Sequence, residues 1–229
     1  MAILELRAPT VMAHPTSTAG SYVELHRIFC VGRNYGDHAS EMGNDPSDPP
    51  FFFMKPASAV VRSGRTIPYP PATRDLHHEA ELCVLIGREG ADIPPDAALS
   101  YVWGYATGND LTRRDLQAAA KAARRPWDMG KGFDNSAILG DIHPVAEVGH
   151  LENARITCTV NGALRQDAST ADMIWPVADV IACLSGLVTL QPGDVIMTGT
   201  PAGVGPIPKG QTCVVDIAGL SPASVTIAP

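Results

Sequence analysis

The sequence predicts a β-dominated α+β fold in one domain, on three observations. Apolar residues fall mostly in short runs rich in Val, Ile and Phe, closed by glycine, proline or Asn-Gly. Twenty prolines and 21 glycines are spread along the chain, which favours many turns. Helical periodicity is carried by only two longer stretches.

Residues 1–25 are short on pattern and are read as an N-terminal extension, with 26–229 as the main domain. Arg27 to Gly32 is a strand ending in glycine. Asp37 can cap a short helix that Gly43 closes, which puts His38 and Glu41 on one face. Phe51 to Met54 is a short strand. The prolines around Tyr69 keep Ile67–Pro71 out of any sheet centre. Leu82 to Ile86, closed by Gly87, reads as a buried strand, and Tyr101 to Ala106 as a second. Thr112 with Asp115 resembles a capping box and starts a helix that Pro126 stops. Trp127 to Gly140 reads as loop. Ile156 to Val160 leads into Asn161-Gly162, a hairpin turn signal. Pro176 to Leu190 is helical, with proline in its first turn. Asp194 to Gly199 is a strand, Thr200 to Gly205 a loop, and strands near Thr212–Ile217 and Ser224–Ile227 finish the chain.

Composition narrows the function. The net charge is −7 and no basic run stands out, so nucleic acid is not an expected partner. No segment approaches the roughly 18 apolar residues of a membrane helix. The N-terminus lacks the basic-then-apolar pattern of a signal peptide. The five cysteines are odd in number and have no Cys-x-x-Cys pair. They read as reduced core residues of a cytoplasmic protein.

The chemistry gathers around His77 to Asp110. Side chains alternate across a strand, so Glu79 and Glu81 point to one face a few ångströms apart. Asp110 lies just past the end of the next strand. If the two strands pair, three carboxylates converge, and hard oxygen ligands suit magnesium, manganese or calcium. The plainer alternative is two acids on a solvated strand end. His77 and His78 lie on a strand and do not form a zinc motif, so they read as support for the acids. His38 and Glu41 form a candidate general-base pair, against an ordinary surface histidine beside an acid. Lys131 stands between two glycines that let it approach a ligand. Arg114 and Gln117 can point back from the first turns of their helix. Thr198 to Gly205 lacks the Gly-Lys-Ser/Thr ending of a phosphate loop, but offers backbone donors and a hydroxyl suited to a carboxylate.

These residues, taken in order, resemble the fumarylacetoacetate hydrolase family. The marks are Val31-Gly32-Arg33-Asn34-Tyr35 with His38 and Glu41, Phe53-Met54-Lys55-Pro56, His77 to Leu82, Gly104 to Asp110, Asp115 to Gln117, Lys131, and Thr198 to Gly205. Gly36 and the glycines beside Lys131 depart from the commoner family spellings, which bears on the lid rather than the metal. The resemblance implies a mixed β-sandwich roll and a homodimer. It implies a divalent metal, Mg2+ or Mn2+ with Ca2+ as an alternative, held by Glu79, Glu81 and Asp110. It implies a His38–Glu41 dyad on a lid, Lys131 as a catalytic group, and Arg33, Lys55, Arg114, Gln117 and Thr200 around the substrate. Within the family, Pro49 to Phe53, Tyr101 to Tyr105 and Arg125-Pro126-Trp127 look most like its bacterial fumarylpyruvate hydrolases. The expected reaction is hydrolytic C–C cleavage of a 2,4-diketo acid in aromatic catabolism. The alternatives are acylpyruvate hydrolysis or oxaloacetate decarboxylation on the same fold, or a non-catalytic metal-stabilised dimeric binding module.

Overall fold

The computed structural model describes residues 12–36 and 49–229. His38 and Glu41 lie outside the described residues, as does the short helix read around them. The described part is strand-dominated, as the sequence predicts.

The largest sheet runs in the order β4 (Phe51–Lys55), β3 (Ile28–Gly32), β15 (Val195–Met197), β8 (Ala80–Ile86), β9 (Val102–Asp110), β11 (Ala137–Leu139), β5 (Val60–Arg62), with β12 (His143–Pro144) also on β9. It curls. A second sheet has the order β14 (Ala163–Ser169), β13 (Arg155–Val160), β17 (Thr212–Ile217), β18 (Ala223–Ile227), β6 (Arg65–Ile67). Two small sheets complete the set: β1 (Met12–Pro15) with β2 (Tyr22–Leu25), and β10 (Thr112–Arg113), β7 (Leu76–His78), β16 (Gly205–Pro206). The helices are short: α1 (Pro95–Ala98), α2 (Arg114–Ala122), α3 (Asp128–Lys131), α4 (Val145–Val148) and α5 (Val177–Ser185).

β8 is buried along its whole length, so it reads as a continuous apolar run rather than an alternation. Ala80, Leu82, Val84 and Ile86 join a core shared with the inward residues of β13, β17 and β18 and with Val180, Ile181 and Leu184 of α5. Cys83 and Leu85, on the other face, join Ile28, Cys30, Ala106, Leu139, Val195 and Met197 inside the curl. The acids grow from the end of this second core.

Several elements differ from the sequence reading. Residues 12–25, read without pattern, contain the β1–β2 hairpin, and His14 Nε2 donates to the Gly140 carbonyl at 2.8 Å. Trp127–Gly140, read as loop, contains α3 and β11. Three residues are too few to show an alternation, and β11 exists because β9 and β5 pair with it on both sides. The capping box is absent. α2 starts at Arg114 with no side-chain cap from Arg113, while the Asp115 carboxylate accepts from Thr73 Oγ1, the Arg74 amide and the Leu116 amide. α2 ends at Ala122, well before Pro126, and α5 at Ser185 rather than Leu190.

Candidate metal and substrate site

The β8–β9 register builds the acidic cluster. Ala80 lies opposite Asn109 and Glu81 opposite Gly108, and the Asp110 amide donates to the Glu79 carbonyl at 2.9 Å. Glu79 and Asp110 therefore face each other across the pair, and Glu81 follows two residues on, on the same side. All three are buried, and one carboxylate oxygen from each lies within 4.8 Å of the others.

Cations compensate these acids unevenly. Arg114 Nη2 lies 2.5 Å from Glu79 Oε1, and Lys131 Nζ lies 2.5 Å from Glu79 Oε2 and 2.7 Å from Asp110 Oδ2. Lys55 Nζ, buried behind Asp110, is 2.7 Å from its Oδ1, at an angle that makes an ion pair rather than a hydrogen bond. Lys55 Nζ also donates to the carbonyls of Leu111 and Lys131. Among the described residues no lysine or arginine forms an ion pair with Glu81, whose Oε2 accepts from the Gly199 amide at 2.8 Å. Burial, then the Asp110 and Glu79 charges, hold the Glu81 carboxyl well above the usual carboxylate range. Burial alone would depress the Lys131 ammonium, but Asp110 and Glu79 outweigh it and hold it above the ordinary lysine value.

This donor set fits a divalent cation. Three hard oxygen donors converge; among the described residues one of them has no cation of its own, and Asp110 Oδ1 makes no hydrogen bond. Glu79, Glu81 and Asp110 are the residues that would hold it.

A cleft opens over the cluster, lined among others by Arg33, Phe53, Arg114, Gln117, Trp127 and Thr200. Arg33, at φ 66°, lies over the Phe51 ring, which meets Trp127 edge-on. Gln117 Oε1 accepts from Arg114 Nη1 at 2.6 Å, so the first turn of α2 aims Arg114 at Glu79 and holds Gln117 beside it. The structure thus brings Arg33, Arg114, Gln117, Lys131 and Thr200 to the cleft with the acids. Lys55 reaches the back of Asp110 instead of the cleft lining.

Sequence reasoning missed four supporting residues. Lys121, one turn beyond Gln117, reaches the cleft rim, and the i, i+3, i+7 spacing of Arg114, Gln117 and Lys121 was a visible signal. Buried Asn34 holds the Thr198 carbonyl and both backbone polar groups of Trp175. Buried Asn109 accepts from the Glu79 amide at 3.0 Å and donates to Cys213 Sγ. Gln166, inward on the otherwise exposed middle of β14, reaches across to the Thr200 loop. His78 binds Gln166, and burial pushes its imidazole down to about 4, so it is a neutral support. His77 accepts from Arg114 Nε and meets Asp75.

Known proteins are similar to this chain over most of its length. A crystal structure of fumarylpyruvate hydrolase from Pseudomonas aeruginosa, in complex with Mn2+ and pyruvate, superposes with a TM-score of 0.95 at 42% identity, covering 98% of each chain. The mitochondrial oxaloacetate tautomerase of Arabidopsis thaliana is 44% identical over 85% of this chain and 87% of its own. The mitochondrial oxaloacetate decarboxylase of Dictyostelium discoideum is 42% identical over 85% and 89%. The model of the fumarylacetoacetate (FAA) hydrolase C-terminal domain matches residues 27–228, and the chain belongs to the fumarylacetoacetate hydrolase family.

Proposed function

We propose that the protein is a divalent-metal-dependent hydrolase that cleaves the C3–C4 bond of a 2,4-diketo acid, with fumarylpyruvate as substrate and fumarate and pyruvate as products. The observation that carries the reading is a cleft lined by Glu79 and Glu81 of the acidic cluster together with Arg33, Arg114, Lys121 and Lys131. Such a site suits a small dianion chelated at one end and met by a cation at the other. The fumarylpyruvate hydrolase neighbour, which holds Mn2+ and pyruvate, supports it.

A cation on Glu79, Glu81 and Asp110 would supply Lewis acidity toward the 2-oxo group and a template for the 1-carboxylate. His38, oriented by Glu41, takes a proton from water as it attacks C4. Lys131 and Gln117 donate to the oxyanion that forms there. As the C3–C4 bond breaks, His38 returns its proton to C3. Thr200 donates to the 1-carboxylate, and Arg33 meets the far one. Lys55 holds Asp110 in place.

The curated relatives favour a second reading, oxaloacetate tautomerisation or decarboxylation on the same residues. Neither needs water to attack carbon. A screen with Mg2+ against fumarylpyruvate, maleylpyruvate, acetylpyruvate and oxaloacetate, followed by absorbance, separates the two. Turnover of fumarylpyruvate at least about 100-fold above oxaloacetate is expected; the reverse order would replace the first reading by the second. Arg33→Met should raise KM for the diacid and leave acetylpyruvate unchanged.

The proposal extends to a homodimer in the cytoplasm. Exposed Met54 of β4 and Met129 of α3 offer apolar surface to a partner copy. All five cysteines are free, in keeping with a reducing compartment. Among the described residues no helix is long and apolar enough to cross a membrane.

A further inference from the structure

Gln166 is buried in β14, at a bulge where the register with β13 shifts between Cys158 and Thr159. The bulge turns its side chain toward the site. Its carboxamide makes four contacts. Oε1 meets the Ala80 amide at 3.1 Å and His78 Nδ1 at 2.9 Å, and Nε2 meets Thr200 Oγ1 and the Pro201 carbonyl, each at 2.8 Å. Two of these partners fix its orientation. A backbone amide can only donate and a carbonyl can only accept, so Oε1 faces Ala80 and Nε2 faces Pro201. Nε2 must then donate to Thr200 Oγ1, and His78 must carry its proton on Nδ1.

The consequence falls on Thr200. Its oxygen accepts from Gln166, and among the described residues its own proton is donated to no protein group. Thr200 lines the cleft. The loop that carries it packs closely on β14. Gly203, at φ +90°, packs so closely that a Cβ there would stand 2.2 Å from the Arg165 carbonyl oxygen.

We infer that Gln166 is a positioning residue that fills one acceptor site of the Thr200 hydroxyl and leaves its proton to be donated into the cleft, favouring an anionic oxygen of the ligand there. The inference rests on the reading that Thr200 meets the substrate carboxylate.

The test uses the Mg2+-loaded enzyme with pyruvate as probe, measured by calorimetric titration, and Mg2+ titrated separately. Thr200→Val should weaken pyruvate about tenfold, the scale of one hydrogen bond to a charged group. Gln166→Met, which removes the donor, and Gln166→Glu, which can draw the hydroxyl proton away from the cleft, should each weaken pyruvate about fivefold or more. At saturating Mg2+, in a Thr200→Val background, neither should weaken it further, and in Thr200→Val alone Mg2+ affinity should stay within about twofold. An unchanged pyruvate affinity in Thr200→Val removes Thr200 from the reading and this inference with it. A Gln166 effect that persists undiminished in Thr200→Val overturns the inference alone. Should neither Gln166 variant fold, the crystal structure of the wild-type enzyme with Mg2+ and pyruvate decides. Thr200 Oγ1 within about 3.2 Å of a ligand oxygen, with its Gln166 bond kept, supports the inference; a hydroxyl donating to protein instead defeats it.

Discussion

Glu81→Gln should stabilise the metal-free protein while removing its response to metal. Glu79 and Asp110 each have two cationic neighbours, whereas Glu81 has an amide N–H. Its ligand oxygen lies within 4.8 Å of those of the other two acids. At an effective dielectric near 20, each like-charge pair at that separation repels by about 3.5 kcal/mol. The penalty has a ceiling, because the carboxyl can protonate, which costs an ordinary glutamate about 3–4 kcal/mol at pH 7. Attraction to Lys131 and the Gly199 amide offsets part of it. The substitution removes the charge and keeps an oxygen for Gly199. A gain of about 1–3 kcal/mol in EDTA at pH 8 is expected, which for a chain of this length is a rise in Tm of about 2–12 °C. The sign with pH follows. Glu81 titrates higher folded than unfolded, so its destabilising effect grows as pH rises above the ordinary carboxylate range and fades near pH 4.5–5. The advantage of the variant should shrink at pH 5. With Mg2+ at about 100 times Kd, the wild type should gain about 2.7 kcal/mol and the variant far less. Thermal unfolding in EDTA and in Mg2+ at both pH values reads all of this. A variant melting below the wild type in EDTA at pH 8, or one keeping the full Mg2+ response, refutes the reasoning.

Three further outcomes are expected. Lys131→Met leaves Glu79 Oε2 and Asp110 Oδ2 without their ammonium, so metal-free stability should fall by about 3–5 kcal/mol in urea unfolding, and Mg2+ should recover much of the loss. His38→Ala should cut fumarylpyruvate turnover by roughly two to four orders of magnitude with Mg2+ affinity unchanged; a near-wild-type rate removes it from the base role. His14 is held below its ordinary value by burial, so the stability tied to its neutral form is present above about pH 6.5 and is lost as pH falls below it. Protection against hydrogen exchange in the β1–β2 hairpin, taken relative to the intrinsic rate at each pH, should fall at pH 5.5, and in His14→Gln that fall should vanish.

The acids were legible in the sequence because their chemistry is local. Glu-x-Glu ahead of a buried run, and an aspartate at the end of the next strand, need a single assumption, that neighbouring strands pair. The supports were not, because each acts across a long stretch of chain. Lys55 reaches Asp110, and Gln166 reaches Ala80 and Thr200, through strands whose partners come from elsewhere in the sequence. β11 was missed for the same reason. The length of β14 was hidden by a bulge that breaks its alternation.

That contrast identifies what the site depends on. In an antiparallel pair a slip of one residue turns every side chain to the opposite face. With β8 displaced by one residue, Glu81 would enter the core that Leu82 and Ala80 now fill. Three features hold the register. Asn109 caps the Glu79 amide, Gln166 caps the Ala80 amide, and Gly108, where a Cβ would stand 2.3 Å from Cys83 Sγ, admits the close approach of the two strands. The backbone on both sides of the acids is thus pinned by buried carboxamides. A buried aliphatic side chain at position 109 or 166 would satisfy the core but leave a main-chain N–H unpaired next to the acidic cluster. Polar residues in an otherwise apolar interior are therefore the physical means by which this fold keeps its acids facing one another.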